Sequence, residues 1–301
     1  MLSRSQKHIL IKFFSLFSVV RGYNILVVVV AQYLASIYIF ASDLPISTVI
    51  FDINLLMLVL ASSASIAAGY IINSFYDSEK DLINRPQKTM IDRLVSQNTK
   101  LSFYFILNFL AVVFASYVSF RAVVFFAFYI FSIWLYSHKL KKIPLLGNIF
   151  SALLTVTPFF AIFIYYRNFN EDIFFHATFL FLLLSIREMV KDLENLQGDF
   201  TQNYQTIPVK FGVRVSKSII SIFVFLTIIP AVILITSYNL GYMYVYFYLS
   251  MVLLVIALIV LWMSNSKQQF WWLHNLLKFV IVLGVLCIVL IDIDALLKKI
   301  I

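Results

Sequence analysis

Long uninterrupted runs of apolar residues constrain the fold of this chain more than any other feature of its sequence. A helix needs roughly 20 mainly apolar residues to span a bilayer. Nine runs approach or reach this length, at approximately residues 22–41, 53–73, 101–119, 122–137, 147–166, 173–188, 216–236, 241–263 and 277–294. The runs are continuously apolar rather than alternating, which disfavours transmembrane strands. The sequence therefore predicts an all-α integral membrane protein with nine transmembrane helices.

Composition excludes a soluble globule. Hydrophobic residues make up 62% of the 301 positions and charged residues 12%, with a mean hydropathy of +0.95. A single core could not hide this much apolar surface from water. Residues 1–301 are expected to form one membrane domain, with residues 1–20 as a cytoplasmic or interfacial lead-in. Cys287 is the single cysteine, so no intrachain disulfide can form.

Charge placement predicts the orientation. With a cytoplasmic N-terminus, the inside segments hold 19 of the 23 Lys and Arg residues. The outside segments hold only Arg121, Arg167, Lys298 and Lys299. The positive-inside rule therefore favours a cytoplasmic N-terminus and an external C-terminus. The remaining excess of positive charge suits anionic lipid headgroups, so we expect contact with membrane lipid and neither a nucleic-acid nor an obligate protein partner.

Two polar motifs stand at the predicted cytoplasmic ends of the second and sixth helices. The first acidic motif, residues 73–81, places Asn73, Asp77 and Asp81 at i, i+4 and i+8. The second acidic motif, residues 191–199, places Asp192, Asn195 and Asp199 at i, i+3 and i+7. On a regular helix each set would line one face. Since both motifs lie on one side of the membrane, we expect them to form one site.

The residue types in these motifs indicate metal and phosphate chemistry. Carboxylates with amide support are hard oxygen ligands for Mg²⁺, which is usually bound through one or two carboxylates together with substrate phosphates. One such motif would be weak evidence, because solvated helix ends often carry spaced aspartates. Two motifs on the same side, each with basic residues nearby, predict a site for Mg²⁺ and a phosphorylated substrate.

In these motifs the chain resembles the UbiA superfamily of intramembrane prenyltransferases. Residues 73–81 with Asn84-Arg85-Pro86 resemble the family's first signature, and residues 191–199 with 206–212 (TIPVKFG) resemble its second. Residues 136–142 and 144–148 resemble the basic loop after the fourth helix. Two positions depart from the pattern, since Ser74 and Asn195 stand where the family often has Asp. Asn195 can still offer a neutral carbonyl oxygen.

The resemblance implies a bundle of nine transmembrane helices around a central cavity and a Mg²⁺-dependent transfer of a prenyl group from a prenyl diphosphate to a lipophilic acceptor. It implies catalytic roles for Asp77, Asp81, Asp192 and Asp199, with these four and Asn195 as metal ligands. The substrate-binding residues that it implies are Asn24, Asn73, Arg85, Tyr136, Lys139, Lys141, Arg187 and Lys191. The active site would face the cytoplasm from an inner or plasma membrane.

The acceptor is less constrained than the reaction. The stretch from Arg187 to Glu194 looks most like the branch that transfers geranylgeranyl to geranylgeranylglyceryl phosphate, a step of ether-lipid synthesis. Arg187 and Lys191 would then serve a phosphorylated acceptor. Members that prenylate an aromatic acid in quinone biosynthesis share much of this pattern. A cation transporter is an alternative of another class, but its carboxylates would be expected near the bilayer midplane.

Overall fold

The computed structural model describes residues 15–292, and this part of the chain is helical, with no strand. Nine of its helices are long and apolar enough to cross a bilayer. We number them α1 (Gly22–Ala35, continued by a π-helix, Ser36–Phe40), α2 (Ile53–Tyr76), α3 (Gln97–Val118), α4 (Phe120–His138), α5 (Leu146–Tyr166), α6 (Glu171–Glu194), α7 (Ile207–Ser237), α8 (Tyr244–Met263) and α9 (Lys267–Cys287). The predicted number of spanning helices and the all-α class are confirmed.

Short helices connect the long ones. They are the α-helices Ile46–Ile50, Ser78–Asn84, Pro86–Asp92 and Leu196–Thr201 and the 3₁₀ turns Leu140–Lys142, Gly241–Met243 and Ile288–Ile291. Residues 15–19 are also helical. There the Ser15 hydroxyl donates to the Ile91 carbonyl and the Ser18 hydroxyl to Asp92. The described end of the expected lead-in therefore packs on the connection after α2, whereas residues 1–14 lie outside the described range.

Polar capping side chains, rather than the limits of the apolar runs, determine where several helices begin. Asp52, Ser96 and Ser119 each accept a hydrogen bond from a backbone N–H in the first turn of the helix that follows. Ser266 and Gln269 form a reciprocal capping box at the start of α9, which satisfies two otherwise free backbone donors. As a result α9 begins ten residues before the predicted span.

Helix α2 is the most enclosed of the nine. Its small residues at 61–69 are mostly buried, and its Gly69 faces Ile133 of α4 so closely that an added Cβ would lie 2.9 Å from a methyl carbon. Small side chains allow helices to approach closely within a membrane. The amide of Gln32 on α1 donates to the Ser62 hydroxyl on α2 at 3.1 Å. Close packing therefore fixes α2 against its neighbours.

The proline within α5 has a specific compensation. Pro158 has no N–H, so it cannot bond to the carbonyl of Leu154, four residues earlier. The hydroxyl of Tyr129 on α4 donates to that carbonyl at 3.0 Å instead. The Pro158 carbonyl also accepts a bond from the Gln32 amide at 3.4 Å. Neighbouring helices thus satisfy the polar groups around the proline, as a membrane interior requires.

Both acidic motifs cross a bend, so neither motif lies on one regular helix, the geometry from which a shared face was predicted. The backbone leaves helical geometry at Asp77 (φ −94°, ψ 5°) and in the same way at Asn195 (φ −96°, ψ 8°). A short helix follows each bend. The i→i−4 backbone hydrogen bonds continue through both positions. Each bend therefore changes the backbone dihedral angles without breaking the series of hydrogen bonds.

Gly212 interrupts α7. It has φ 85° and ψ 164°, a backbone conformation that side chains with a Cβ disfavour. The apolar run predicted a span over 216–236, and residues 207–211 form an added helical segment before this glycine. The expectation of a single domain over residues 1–301 stays a prediction, as does the cytoplasmic placement of the N-terminus.

Gly284 provides a test of close packing between α8 and α9. An added Cβ at this position would overlap the hydroxyl of Tyr246, which donates to the Val280 carbonyl at 3.3 Å. We expect Gly284→Val to lower the free energy of unfolding in detergent by about 1–3 kcal/mol, because an overpacked interface must shift. Leu286→Val on the same helix, at a side chain that is 57% exposed, is the matched control and should change it by less than about 0.5 kcal/mol. Equal effects would contradict this packing.

Candidate active site

Asn84 joins the two acidic motifs. Its side-chain amide donates to the Asn195 carbonyl at 3.3 Å, and its side-chain oxygen accepts from the Gly198 N–H at 3.2 Å. The ammonium of Lys267, at the start of α9, donates to the Asn84 carbonyl at 2.8 Å. Because Gly198 lacks a Cβ, Asn84 can lie directly against its backbone. The structure therefore brings the two motifs together at one end of the bundle, as the sequence predicts.

Asp77 is the most connected carboxylate of the first motif. Its Oδ1 accepts hydrogen bonds from Lys141 Nζ and from the Tyr204 hydroxyl, each at 2.7 Å. Its Oδ2 accepts from the Asn73 amide at 3.0 Å, and the Asn73 oxygen accepts from Lys141 at 3.2 Å. Asp77 and Lys141 are both buried. This network ties the end of α2 to the turn after α4 and to the segment before α7.

Lys80 links the two motifs by charge. Its ammonium lies 3.3 Å from Asp199 Oδ1 and 3.7 Å from Asp77 Oδ1. The same group sits 4.3 Å from the centre of the Tyr204 ring, within the range of a cation–π interaction. A single ammonium therefore balances carboxylates from both motifs.

The second motif has its own polar partners. Asp192 accepts a hydrogen bond from the Asn148 amide, at the start of α5, at 2.7 Å. Asp199 accepts one from the Thr206 hydroxyl at 3.3 Å. The side-chain oxygen of Asn195 is buried and has no hydrogen-bond partner among the described residues. This oxygen is therefore free to act as a ligand.

Two further ion-pair clusters border the motifs. On α6, Glu188 accepts from Lys191 Nζ at 2.7 Å and from Arg187 at 3.1 Å. At the end of the same helix, Glu194 pairs with Arg85 at 3.3 Å and with the His274 ring at 2.8 Å. Glu194 thus points away from Asp192 and Asn195 and towards α9. Glu194 therefore pairs with Arg85, just beyond the first motif, and does not add a carboxylate beside Asp192 and Asn195.

A cavity of about 280 Å³ opens onto these groups. It is bordered by α1, α2, α4, α5, α6 and α9 and has apolar side chains on the side away from the motifs, among them Val28, Leu184 and Ile281. Eleven of the predicted site residues line it, namely Asn24, Asn73, Asp77, Asp81, Arg85, Tyr136, Lys141, Arg187, Lys191, Asp192 and Asn195. The predicted central cavity is therefore present.

Two predicted residues do not line this cavity. Asp199 is joined to it through Lys80. Lys139 has an exposed side chain and lies one position before the 3₁₀ turn that carries Lys141. Of these two lysines, only Lys141 contacts the acidic motifs. A role for Lys139 in binding substrate stays a prediction.

Burial and charged neighbours shift the pKa values of Asp77, Lys80 and Asp199. Burial alone would raise the pKa of Asp77, but Lys80 and Lys141 hold it well below its usual range. Burial alone would lower the pKa of the Lys80 ammonium. The charges of Asp77 and Asp199 raise it by more than burial lowers it, so the pKa lies above its ordinary value. Burial and the charge of Asp77 raise the pKa of Asp199 despite Lys80. Asp77 and Lys80 therefore form a charged pair, and Asp199 is the weaker acid.

The donor set fits Mg²⁺ only together with a substrate. Within residues 15–292, no three Asp, Glu, His or Cys side chains converge closely enough to hold a metal alone. The groups present are separate carboxylates and the unpartnered oxygen of Asn195. Mg²⁺ commonly binds one or two carboxylates and completes its shell with water and phosphate oxygens. The residues therefore suit a metal that a phosphorylated substrate brings or shares.

Several polar residues of the site were not predicted from the sequence. In the sequence, Lys80 resembles any basic residue that sets topology, and no motif distinguishes Tyr204 or Glu188. Asn84, Asn148 and Thr206 fell inside the recognised motifs without an assigned role. For Lys80, the usable signal was its position one turn after Asp77, which places the two side chains on one helical face.

Comparison with known proteins identifies the family. The UbiA prenyltransferase family profile matches residues 28–279. The chain belongs to the UbiA prenyltransferase family. It is therefore an integral membrane protein of a prenyltransferase family, and the family resemblance inferred from the two motifs is confirmed.

A curated relative, the digeranylgeranylglyceryl phosphate synthase of Methanobrevibacter smithii, is 28% identical over 67% of this chain and 70% of its own length. Other relatives of that name, from Thermococcus and Pyrococcus species, are 30–33% identical. The chain spans 58–64% of their length, which is less than two thirds.

Solved structures of UbiA-type proteins share the fold. One, of digeranylgeranylglyceryl phosphate synthase in membranes, superimposes with a TM-score of 0.71 at 21% identity, covering 94% of this chain and 99% of the other. A UbiA homologue from Archaeoglobus fulgidus, solved with GPP and Mg²⁺, superimposes with a TM-score of 0.67 at 14% identity, covering 91% and 99%. At these identities the likeness establishes the fold alone.

The contact between Asn84 and Gly198 can be tested with a double-mutant cycle. We expect Asn84→Ala to lower the free energy of unfolding by about 1–3 kcal/mol, because it leaves the buried Gly198 N–H unpaired. Gly198→Ala alone should also destabilise the protein, since its Cβ would overlap Asn84. In the Asn84→Ala background the same change should cost less. Thermal or denaturant unfolding in detergent measures all three, with exposed Asn98→Ala as control; strictly additive effects would exclude this contact.

Proposed function

We propose that this chain transfers a prenyl group from a prenyl diphosphate to a lipid acceptor that carries a phosphate, in ether-lipid synthesis. The observation that carries the proposal is one cavity in which two acidic motifs and several cations meet an apolar wall. Such a cavity suits a molecule with a polyanionic head and a long apolar chain. The preferred acceptor is geranylgeranylglyceryl phosphate, because the curated relatives are named digeranylgeranylglyceryl phosphate synthases.

The acidic motifs would bind the diphosphate through Mg²⁺, and the cationic side chains would bind its oxygens directly. Lys141, Arg85 and Lys191 line the cavity beside the motifs, and charge-assisted bonds from such groups hold phosphate oxygens; Lys139 is placed in the same role. The proposed ligands of Mg²⁺ are Asp77, Asp81, Asp192, Asn195 and Asp199. When bound, Mg²⁺ neutralises the charge that develops on the leaving pyrophosphate. A UbiA homologue of the same fold, from Archaeoglobus fulgidus, was solved with GPP and Mg²⁺, which supports a site for both in this fold.

The apolar side of the cavity shields the reaction from water. Val28, Leu184 and Ile281 would pack on the prenyl chain while the diphosphate stays at the motifs. As the C–O bond to the diphosphate breaks, the pyrophosphate leaves with the bonding electrons and the allylic carbon becomes cationic. The oxygen of an acceptor hydroxyl then bonds to that carbon, and its proton is released to the pyrophosphate or to water. Tyr136, which lines the same cavity, is the aromatic group proposed to face that carbon. Exclusion of water prevents hydrolysis of such a reactive centre.

Asn24 and Asn73 are proposed to position the substrate. Asn24 donates to the Tyr70 hydroxyl at 3.1 Å, which fixes its side chain at the cavity wall on α1. Asn73 is held between Asp77 and Lys141, so it orients the carboxylate and the ammonium that flank it. On the basis of the distribution of Lys and Arg, the motifs and the cavity mouth beside them are placed on the cytoplasmic side.

Asp192 provides a direct test of the role proposed for the motifs. We expect Asp192→Ala and Asp192→Asn to lower prenyl transfer by at least about 100- to 1,000-fold, the loss typical when a group that stabilises developing charge is removed. The assay follows labelled geranylgeranyl diphosphate in purified, reconstituted protein with Mg²⁺. Exposed Asp43→Ala is the control and should keep full activity. Full activity of the folded Asp192 variants would remove this mechanism, as would undiminished turnover after chelation of Mg²⁺.

The acceptor is tested by competition in one vessel. With labelled geranylgeranyl diphosphate, we expect the purified protein to label geranylgeranylglyceryl phosphate in preference to 4-hydroxybenzoate, homogentisate and dihydroxynaphthoate. Thin-layer or liquid chromatography separates the products. Labelling of an aromatic acid alone would favour a function in quinone biosynthesis. Mg²⁺-dependent cation flux into vesicles without any labelled product would instead favour a transporter.

A further inference from the structure

We propose that Arg21 and Lys278 form a second anion site at the α1–α9 side of the cavity and that this site holds the phosphate of the lipid acceptor. The site is separate from the two acidic motifs that are proposed to hold the diphosphate. This inference rests on the proposed function for the identity of the acceptor. Its geometric basis, two cations that line one cavity and form no direct ion pair within residues 15–292, does not depend on that function. Asp81 and Glu188 act on Arg21 only without a direct ion pair.

The distribution of ion pairs singles out these two residues. Seven cationic side chains line the cavity, and five of them pair with carboxylates: Lys80 and Lys141 with Asp77, Arg85 with Glu194, and Arg187 and Lys191 with Glu188. Arg21 and Lys278 form no ion pair with any residue from 15 to 292. A cation withdrawn from water is costly unless it is paired or hydrogen-bonded. An anionic ligand would supply the missing partner.

Arg21 is fixed in a geometry that leaves its donors available. It lies directly before α1 with φ 51° and ψ 53°, a left-handed conformation that is uncommon for a residue with a side chain. Its guanidinium is 5.1 Å from the centre of the Tyr70 ring, and Tyr70 is held in turn by Asn24. A guanidinium that lies over an aromatic ring keeps its N–H groups at its edge, where they can grip phosphate oxygens.

Lys278 places the second charge beside the lipid-facing edge of the cavity. It lies near the middle of α9, and its ammonium is 4.4 Å from the centre of the Tyr23 ring on α1. Tyr23 is 52% exposed, so its outer side faces the surroundings of the bundle. A lipid that enters between these aromatic and cationic groups could keep its apolar chain towards the bilayer and its phosphate against Arg21 and Lys278.

The chemistry of the acceptor also calls for two anion sites in one cavity. In a glycerol phosphate the phosphate lies only a few bonds from the free hydroxyl that reacts. When this hydroxyl approaches the first carbon of the prenyl chain, the acceptor phosphate must lie near the diphosphate without sharing its ligands. Like charges at short range repel strongly in a low-dielectric site. Separate cations at Arg21 and Lys278 would offset that repulsion.

The kinetic test separates the two substrates. Arg21→Gln, Lys278→Gln and the double variant are assayed in phosphatidylcholine nanodiscs, with exposed Lys210→Gln as control. We expect KM for geranylgeranylglyceryl phosphate to rise by about 10- to 100-fold per charge removed, the range for a lost charge-assisted hydrogen bond. KM for geranylgeranyl diphosphate should change by less than about 2-fold. Arg21→Lys should recover only part of the loss, because an ammonium keeps the charge but not the planar set of donors. Equal rises in both KM values, or a selective rise in Arg187→Gln instead, would overturn the proposal.

A binding measurement keeps the inference distinct from the proposed function. Binding of geranylgeranylglyceryl phosphate and of geranylgeranylglycerol is measured without Mg²⁺ or prenyl diphosphate. We expect the unmodified protein to prefer the phosphorylated lipid by at least about 10-fold and the double variant to lose this preference. If no prenyl transfer occurs but the preference depends on both cations, the proposed function fails and the anion site stands. Absence of any preference refutes the site.

The remaining source of a phosphate is the bilayer itself. The same binding measurement is therefore repeated in nanodiscs that contain phosphatidylglycerol. We expect the anionic headgroup to weaken acceptor binding by less than about 3-fold, because a selective site also recognises the glycerol and its position in the cavity. Complete displacement by phosphatidylglycerol would identify the site as one for bulk lipid headgroups and would overturn its assignment to the acceptor.

Discussion

The structure at the cavity depends on the buried carboxylate of Asp77. A carboxylate removed from water must be paired and hydrogen-bonded, or its burial costs several kcal/mol. Asp77 meets this requirement with partners from three separate segments: Asn73 on α2, Lys141 after α4 and Tyr204 before α7. Each contact therefore positions one connection relative to the others. Lys80 adds Asp199 to the same network, so that the second acidic motif is held by the charge balance of the first.

The matching bends at Asp77 and Asn195 explain how two helices can present one site. Beyond the bends, the short helices Ser78–Asn84 and Leu196–Thr201 contact each other, and Asn84 bonds to the backbone of Asn195 and Gly198. The absence of a Cβ at Gly198 is needed for this contact. The site is thus built on connections, while the close-packed helices below them supply a rigid base.

Apolar length was sufficient to predict the nine spans, because a bilayer imposes nearly the same length on each. Helix ends were harder, since α9 starts at a capping box and α7 at a segment before Gly212, neither of which hydropathy records. The acidic motifs were evident from their charge. Their partners were not, because Lys80 and Lys141 look the same in sequence as the basic residues that set orientation. Only the fold distinguishes a lysine that contacts Asp77 from the exposed Lys139.

The ion pairs also constrain how the proposed substrates and metal share the site. Asp77 Oδ1 already accepts from Lys141 and Tyr204 and lies near Lys80. A divalent cation at this oxygen would compete with two ammonium groups, so Mg²⁺ alone gains little there. A diphosphate gives those ammonium groups another anion, and it adds oxygen ligands for the metal. On this argument the proposed metal and diphosphate would bind cooperatively, and the lysines that pair with Asp77 in the free protein would become substrate ligands when the cavity is filled.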